Sequence, residues 1–213
     1  MSRAKDDVLL NPDNHAVVLI DHQSQMLFGV QSHDGAEIVN NTLGLAKAAR
    51  LFGVPVVLTT VNERFSGPLF EGLAEALGNP PRVERTTVNA WEDPRVVDAV
   101  RKTGRRVVVL AGLWTEVCVA FPALYALRDD FDVCVVADAC GGQTRESHEM
   151  GMQRMIQAGA QPLTSAAYLY ELQRDWARQQ TYAGVIDVVR AHQRRFAVGV
   201  QYNRFLSKVP EPA

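Results

Sequence analysis

Short, continuous apolar runs alternate with longer segments of helical periodicity along this chain, and the alternation sharply limits what it can fold into. Ala16–Asp21 reads AVVLID, Val54–Thr60 reads VPVVLTT and Arg105–Ala111 reads RRVVVLA. Strands that are apolar on both faces must be covered on both faces, as in a parallel sheet flanked by helices. Weaker runs at Arg82–Thr86, Asp132–Ala137 and Gln161–Thr164 complete six predicted strands. Helices are predicted over Gly35–Phe52, Pro68–Leu77, Pro94–Thr103, Thr115–Leu127 and Arg145–Ala158, with one more ending near Trp176. Six β-α repeats at this spacing predict a three-layer α/β/α domain with a doubly wound, six-stranded, mainly parallel sheet of order 3-2-1-4-5-6.

That domain is expected to occupy residues 1–176. Residues 177–213 carry one more amphipathic helix and a tail ending in prolines, too little to fold alone. Their apolar residues, Val185, Ile186, Val188, Val189, Phe196 and Val198, suggest a C-terminal extension that contacts other copies of the chain.

Composition narrows the function classes. A formal charge of −2 and a pI near 6.2 give no electrostatic reason to expect nucleic acid or an acidic membrane as partner. The basic cluster Arg101, Lys102, Arg105 and Arg106 reads as a solvated helix end. Met1–Asn14 lacks the apolar core and cleavage site of a signal peptide. The longest apolar runs span about eight residues, against the roughly 18 that suggest a membrane span. Three cysteines without CxxC spacing argue against a disulfide framework. A soluble, cytoplasmic protein is expected.

In sheets of this order, ligands bind outside the carboxyl ends of the strands where the order reverses, here between strands one and four. Asp21 closes strand one. Strand four ends at Ala111-Gly112, and Leu113-Trp114-Thr115-Glu116-Val117 leads to Cys118. Topology therefore brings an acid and a thiol to one crevice. Thr115 is a plausible N-cap, which puts Cys118 in a first helical turn, where free N–H groups and the macrodipole favour a thiolate. Pro122 lacks the N–H that would bond the carbonyl of Cys118, so a kink is expected there. The alternative is that Cys118 only packs a helix onto the sheet. Cys134, between Val133 and Val135, reads as core. Cys140 could act as a resolving thiol.

The run Ala111-Gly112-Leu113-Trp114-Thr115-Glu116-Val117-Cys118-Val119 resembles the nucleophile segment of isochorismatase-like cysteine hydrolases. Val18-Leu19-Ile20-Asp21-His22-Gln23 is similar to that family's first strand, and Arg85-Thr86-Thr87-Val88-Asn89-Ala90-Trp91 resembles its third element. Val135, Ala137, Asp138 and Ala139 match its strand-five signature. Phe121-Pro122-Ala123-Leu124 and Arg174-Asp175-Trp176 look most like the YcaC-like subgroup. The resemblance implies a catalytic set of Cys118, Asp21 and Arg85, hydrolysis of a carbonyl or amide-type (C–N) substrate through a thioester, and homo-oligomers from dimer to octamer. It also implies a cis peptide at Leu113–Trp114, turning the N–H groups of Trp114 and Cys118 into an oxyanion hole.

Two departures stand out. Arg85 takes the place where lysine is usual. The D-x-H segment of the metal-dependent nicotinamidase branch is missing, since Thr59-Thr60-Val61-Asn62-Glu63-Arg64 has no histidine. Nor do His15, His22, His33, His148 and His192 show metal-ligand spacing. No metal and no cofactor are expected. His22, beside Asp21, could pair with Cys118, although adjacent strand residues face opposite ways. Phe28, Trp91 and Trp114 are candidate pocket walls. Two other classes stay open: a thiol redox protein in which Cys140 resolves Cys118, and a silent oligomeric binding protein. A Rossmann dehydrogenase is excluded, because no G-x-G-x-x-G follows strand one.

Overall fold

A computed structural model describes residues 8–207. The first seven positions of the N-terminal segment and the last six of the tail lie outside the described residues. The strands are β1 (His15–Ile20), β2 (Val56–Val61), β3 (Arg82–Arg85), β4 (Val107–Gly112), β5 (Asp132–Val136) and β6 (Gln161–Leu163). All five strand pairings are parallel, in the order β3-β2-β1-β4-β5-β6. The predicted three-layer, doubly wound sheet is thus present. Only its strand ends move, by one or two residues.

The helices are α1 (Ser24–Phe28), α2 (Gly35–Leu51), α3 (Glu63–Ser66), α4 (Leu73–Ala76), α5 (Pro94–Lys102), α6 (Ala120–Arg128), α7 (Arg145–Gln157), α8 (Ser165–Gln173), α9 (Gln179–His192) and α10 (Arg194–Leu206). α2 packs with α8 and α9, while α5 and α6 reach each other through a short 3-10 turn and α6 meets α7. Every residue of β1 and β4 is buried, as central strands covered on both faces must be. No helix among the described residues is long and apolar enough to cross a membrane.

Three sequence expectations need correction. The segment Pro68–Leu77 holds only the single turn α4, and the turns α1 and α3 went unread; each is too short to show a 3.6-residue period. The helix expected from Thr115 is two pieces, a π-helical turn over Thr115–Val119 followed by α6. Pro122 explains the break: without its N–H, the Cys118 carbonyl cannot enter an α-helical ladder, and wider bonds from Val119 N–H to Trp114 O and from Ala120 N–H to Thr115 O replace it.

The C-terminal extension holds two helices, divided at Gln193. Val185, Ile186, Val188 and Val189, read as contacts to other copies, are buried within this chain. Glycine makes that docking possible: at Gly184 a Cβ would sit 2.5 Å from Leu51 Cδ1. Asn40 Nδ2 also donates to His192 O at 2.8 Å. In contrast, α10 buries only Ala197, and Phe196, Val198, Tyr202, Phe205 and Leu206 face solvent.

Candidate active site

The crevice opens where β1 and β4 end side by side, with Ile20 paired to Gly112. The strands approach so closely there that a Cβ on Gly112 would lie 2.5 Å from Ile20 O. Asp21 follows at once with φ +55°, a left-handed conformation that Asp tolerates better than most residues. Its N–H bonds Thr59 O at 3.0 Å and its carbonyl accepts from Gln23 N–H at 2.7 Å. This tight turn fixes the carboxylate at the sheet end.

Arg85 arrives from β3, two strands from β1. At about 4.8 Å per strand that gap approaches 10 Å, which only the longest side chains can cross. Its Nη2 donates to Asp21 Oδ2 at 2.6 Å, and both side chains are fully buried. Nη1 donates to Thr87 O and Val88 O. The guanidinium is thus held from both sides, away from the surface. Two carbonyls from its own loop, which leave no trace in the sequence pattern, aim it across the sheet.

Cys118 is 5% exposed, and its thiol lies close enough to the Asp21 carboxylate and the Trp114 backbone for both to act on its proton affinity. Oδ1 of Asp21 has no hydrogen-bond partner and is left free on the Cys118 side. Acid, cation and thiol therefore form one chain, Arg85–Asp21–Cys118. The first-turn position was expected to favour a thiolate, but burial, followed by the Asp21 charge, pushes the thiol up to about 12. The Trp114 N–H and Arg85 pull the other way without offsetting this. Burial also raises Asp21 to about 6, with Arg85 as the main opposing influence. The resting pair is a neutral thiol beside a carboxylate whose proton affinity is matched to neutral pH.

The turn that carries Cys118 has the cis peptide that the family resemblance implied, at Leu113–Trp114, and contacts from distant residues brace it. Thr115, expected to cap the helix, instead shares a 2.8 Å hydrogen bond between Oγ1 and His148 Nδ1, and Trp114 takes the capping position without a side-chain bond. Thr115 N–H bonds Gly141 O at 3.0 Å, and Glu116 Oε1 accepts from Gln143 N–H at 3.0 Å. The loop after β5 therefore clamps both sides of the turn. Such long-range partners leave no local sequence pattern.

Of the other residues singled out, His22 is not paired with Cys118. Its Nε2 meets Ala139 O at 3.0 Å, its ring lies edge-on to Phe70, and burial lowers it to about 4. Cys140 is buried with its thiol against the Gly112 backbone, and Cys134 is buried within β5. Trp114 lies at the thiol, and Phe28 stands 82% exposed at the end of α1. Trp91 lies away from the thiol. Its Nε1 donates to Asp129 Oδ2 at 3.0 Å and its ring packs on Phe131. Asp129 follows the far end of α6, a helix length of about 13 Å from Cys118, so Trp91 is a core residue. Among the described residues, no group of three or more His, Cys, Asp or Glu side chains could hold a metal ion.

Comparison with known proteins identifies the family. The isochorismatase-domain family model matches residues 15–167. An Escherichia coli K12 protein named "Probable hydrolase YcaC" is 40% identical over 174 residues, covering 81% of this chain and 84% of its own. The crystal structure of E. coli YcaC, described as an octameric hydrolase of unknown specificity, superposes with a TM-score of 0.90 at 36% identity, covering 95% of this chain and all of that one. YcaC from Pseudomonas aeruginosa, solved with hexane-2,5-diol and covalent acrylamide, gives 0.87 at 36% identity, covering 92% and 96%.

Proposed function

The chain belongs to the isochorismatase family and is a YcaC-like hydrolase, and from that premise we propose that it is a cofactor-independent cysteine hydrolase cleaving a C–N bond of a small carbonyl or amide-type substrate. The observation that carries this reading is the buried chain Arg85–Asp21–Cys118 at the point where strand order reverses.

Because the thiol is neutral at rest, Asp21 takes its proton as the sulphur attacks the carbonyl carbon. The N–H of Trp114, already at the sulphur, and that of Cys118 receive the developing oxyanion. Asp21 then passes its proton to the leaving nitrogen, giving an amine and a thioester on Cys118. It next takes a proton from water, whose oxygen attacks the thioester and frees acid and thiol. Arg85 stays protonated throughout. Its charge keeps Asp21 ionised between steps and holds its carboxylate in line.

Acrylamide is an electrophile of the kind thiols attack, so the adduct carried by the P. aeruginosa protein supports a reactive thiol in this family. The octamer of the E. coli protein supports self-association here too, with α10 as a contact outside the hydrolase domain. The test is a screen of small amides, hydroxamates and carbamoyl compounds, with intact mass read after rapid acid quench. An acyl adduct confined to the Cys118 peptide is expected. Turnover with no adduct, or an adduct elsewhere, would overturn the thioester mechanism.

A further inference from the structure

Trp114 leaves the end of β4, yet its indole reaches α1, the helix that follows β1. Nε1 donates to Met26 O at 2.8 Å. The ring lies so near Gly29 that a Cβ there would sit 2.5 Å from Cζ2. The main-chain N–H of the same residue is at the Cys118 thiol. One residue therefore touches the reacting sulphur with its backbone and bridges the exits of β1 and β4 with its side chain. A bond to a main-chain carbonyl and a contact that only glycine permits fix the indole in one place, so it acts as a wall and not as a swinging lid.

We propose that Trp114 is a specificity-determining residue that restricts the acyl part of the substrate to a small group. The inference rests on Cys118 being the nucleophile. For attack, the carbonyl carbon must come within about 3–3.5 Å of the sulphur. Its oxygen then turns to the Trp114 N–H, which brings the acyl substituent beside the indole. The bridge closes the β1–β4 side of the crevice. On this proposal the substrate enters from the β3 side, where Val88 is exposed in the loop that holds Arg85. A planar or branched acyl group would collide with the ring, while a one- or two-carbon group passes under it.

The probes are iodoacetamide and its N-phenyl analogue. Both alkylate by the same displacement: the sulphur–carbon bond forms, the carbon–iodine bond breaks, iodide leaves and the thiol proton goes to base. Rates at Cys118 are read by peptide mass, apart from Cys134 and Cys140. In the wild-type protein the phenyl reagent should be the slower. W114A should raise the phenyl-to-parent rate ratio about tenfold, the scale on which pocket size discriminates. W114F, which keeps a ring in the turn but cannot bond Met26 O, should raise it about threefold on the same scale. General loosening would raise both rates together and leave the ratio unmoved. A labelled thiol whose ratio is the same in all three proteins overturns this inference alone. A folded wild-type Cys118 that neither reagent labels at any pH overturns the nucleophile reading and this inference with it.

Discussion

At the ends of β1 and β4 the fold buries a carboxylate, a guanidinium and a thiol, whereas α10 leaves Phe196, Tyr202 and Phe205 in solvent. The two regions depart from ordinary sorting in opposite senses, and the physics of each departure differs. Ionised groups stay out of water only when paired and hydrogen-bonded. Arg85 and Asp21 meet that condition with a 2.6 Å bond, at the cost of a carboxyl pushed up to about 6. Aromatic side chains on a helix that buries only one residue have no such internal solution, and a contiguous apolar face of that kind usually meets another surface. The crevice brings its three groups together within one chain, while α10 leaves its apolar face uncovered among the described residues, which is the face proposed above to meet a neighbour.

The largest effect that would break this contrast is on turnover at the crevice. C118A should cost about four orders of magnitude or more, as loss of a nucleophile does, with the fold kept because alanine fits the same turn. Circular dichroism and steady-state rates check this, and substantial residual turnover in purified C118A would remove the thiol from the mechanism.

Next comes Arg85. R85A should lower turnover about a hundredfold or more, the scale of a lost preorganised charge, and R85K should keep part of the rate because the charge remains. The wild-type rate should fall as pH drops through about 6, where Asp21 takes up a proton. Arg85 opposes that uptake, so R85A should move the limb to higher pH. A carboxyl raised by burial binds its proton more tightly in the folded state than in the unfolded chain. The stability lost in R85A should therefore return as pH falls through the raised value. An unmoved limb, together with unchanged turnover, would take Arg85 out of the site.

Much of the crevice was legible because its anchors are topological. Asp21 ends an apolar run, Cys118 follows another, and the order 3-2-1-4-5-6 puts those ends together. Arg85 was legible only through the family resemblance, since nothing in a weak edge strand says that its side chain crosses β2. The clamp on the turn that carries Cys118 was not legible, because Thr115 and His148 stand 33 residues apart and meet through tertiary packing. Trp91 misled because an aromatic near a site residue in sequence can sit at the far end of a helix in space. In the extension the apolar pattern divides between two uses: α9 turns its face onto α2 while α10 keeps its own exposed, and the break at Gln193 hides in a run without Gly or Pro.

A smaller effect should follow from crowding the strands that frame the crevice. G112A places a Cβ 2.5 Å from a backbone oxygen, which cannot rotate away as a side chain could. Prising β1 from β4 should cost about 2–3 kcal/mol, or roughly 4–12 °C in Tm. Turnover should fall about tenfold by the misplacement of Asp21 against Cys118. Thermal melts and rates on the same preparation measure both. If G112A melts with the wild type, the two strand ends are less rigidly coupled than the contact implies.

The smallest effect on chemistry, and the sharpest test of the contrast, belongs to α10. Phe196 and Phe205 are exposed on α10, so a charge at either position meets water, not the core. Such surface changes ordinarily alter stability by no more than about 0.5 kcal/mol. F196D/F205D should therefore fold, melt within a few degrees of the wild type and keep its rate per chain within about twofold. Its mass should fall, because two carboxylates placed in an apolar contact would have to lose their water on assembly without a partner charge. Light scattering at micromolar concentration reads this directly. A wild-type chain that is already monomeric would leave the exposed face of α10 without the neighbour proposed for it. A double variant that assembles normally would move the contact elsewhere. If it dissociates and also loses turnover, the crevice depends on the neighbouring copy, and the division between a self-contained site and an unfinished arm fails.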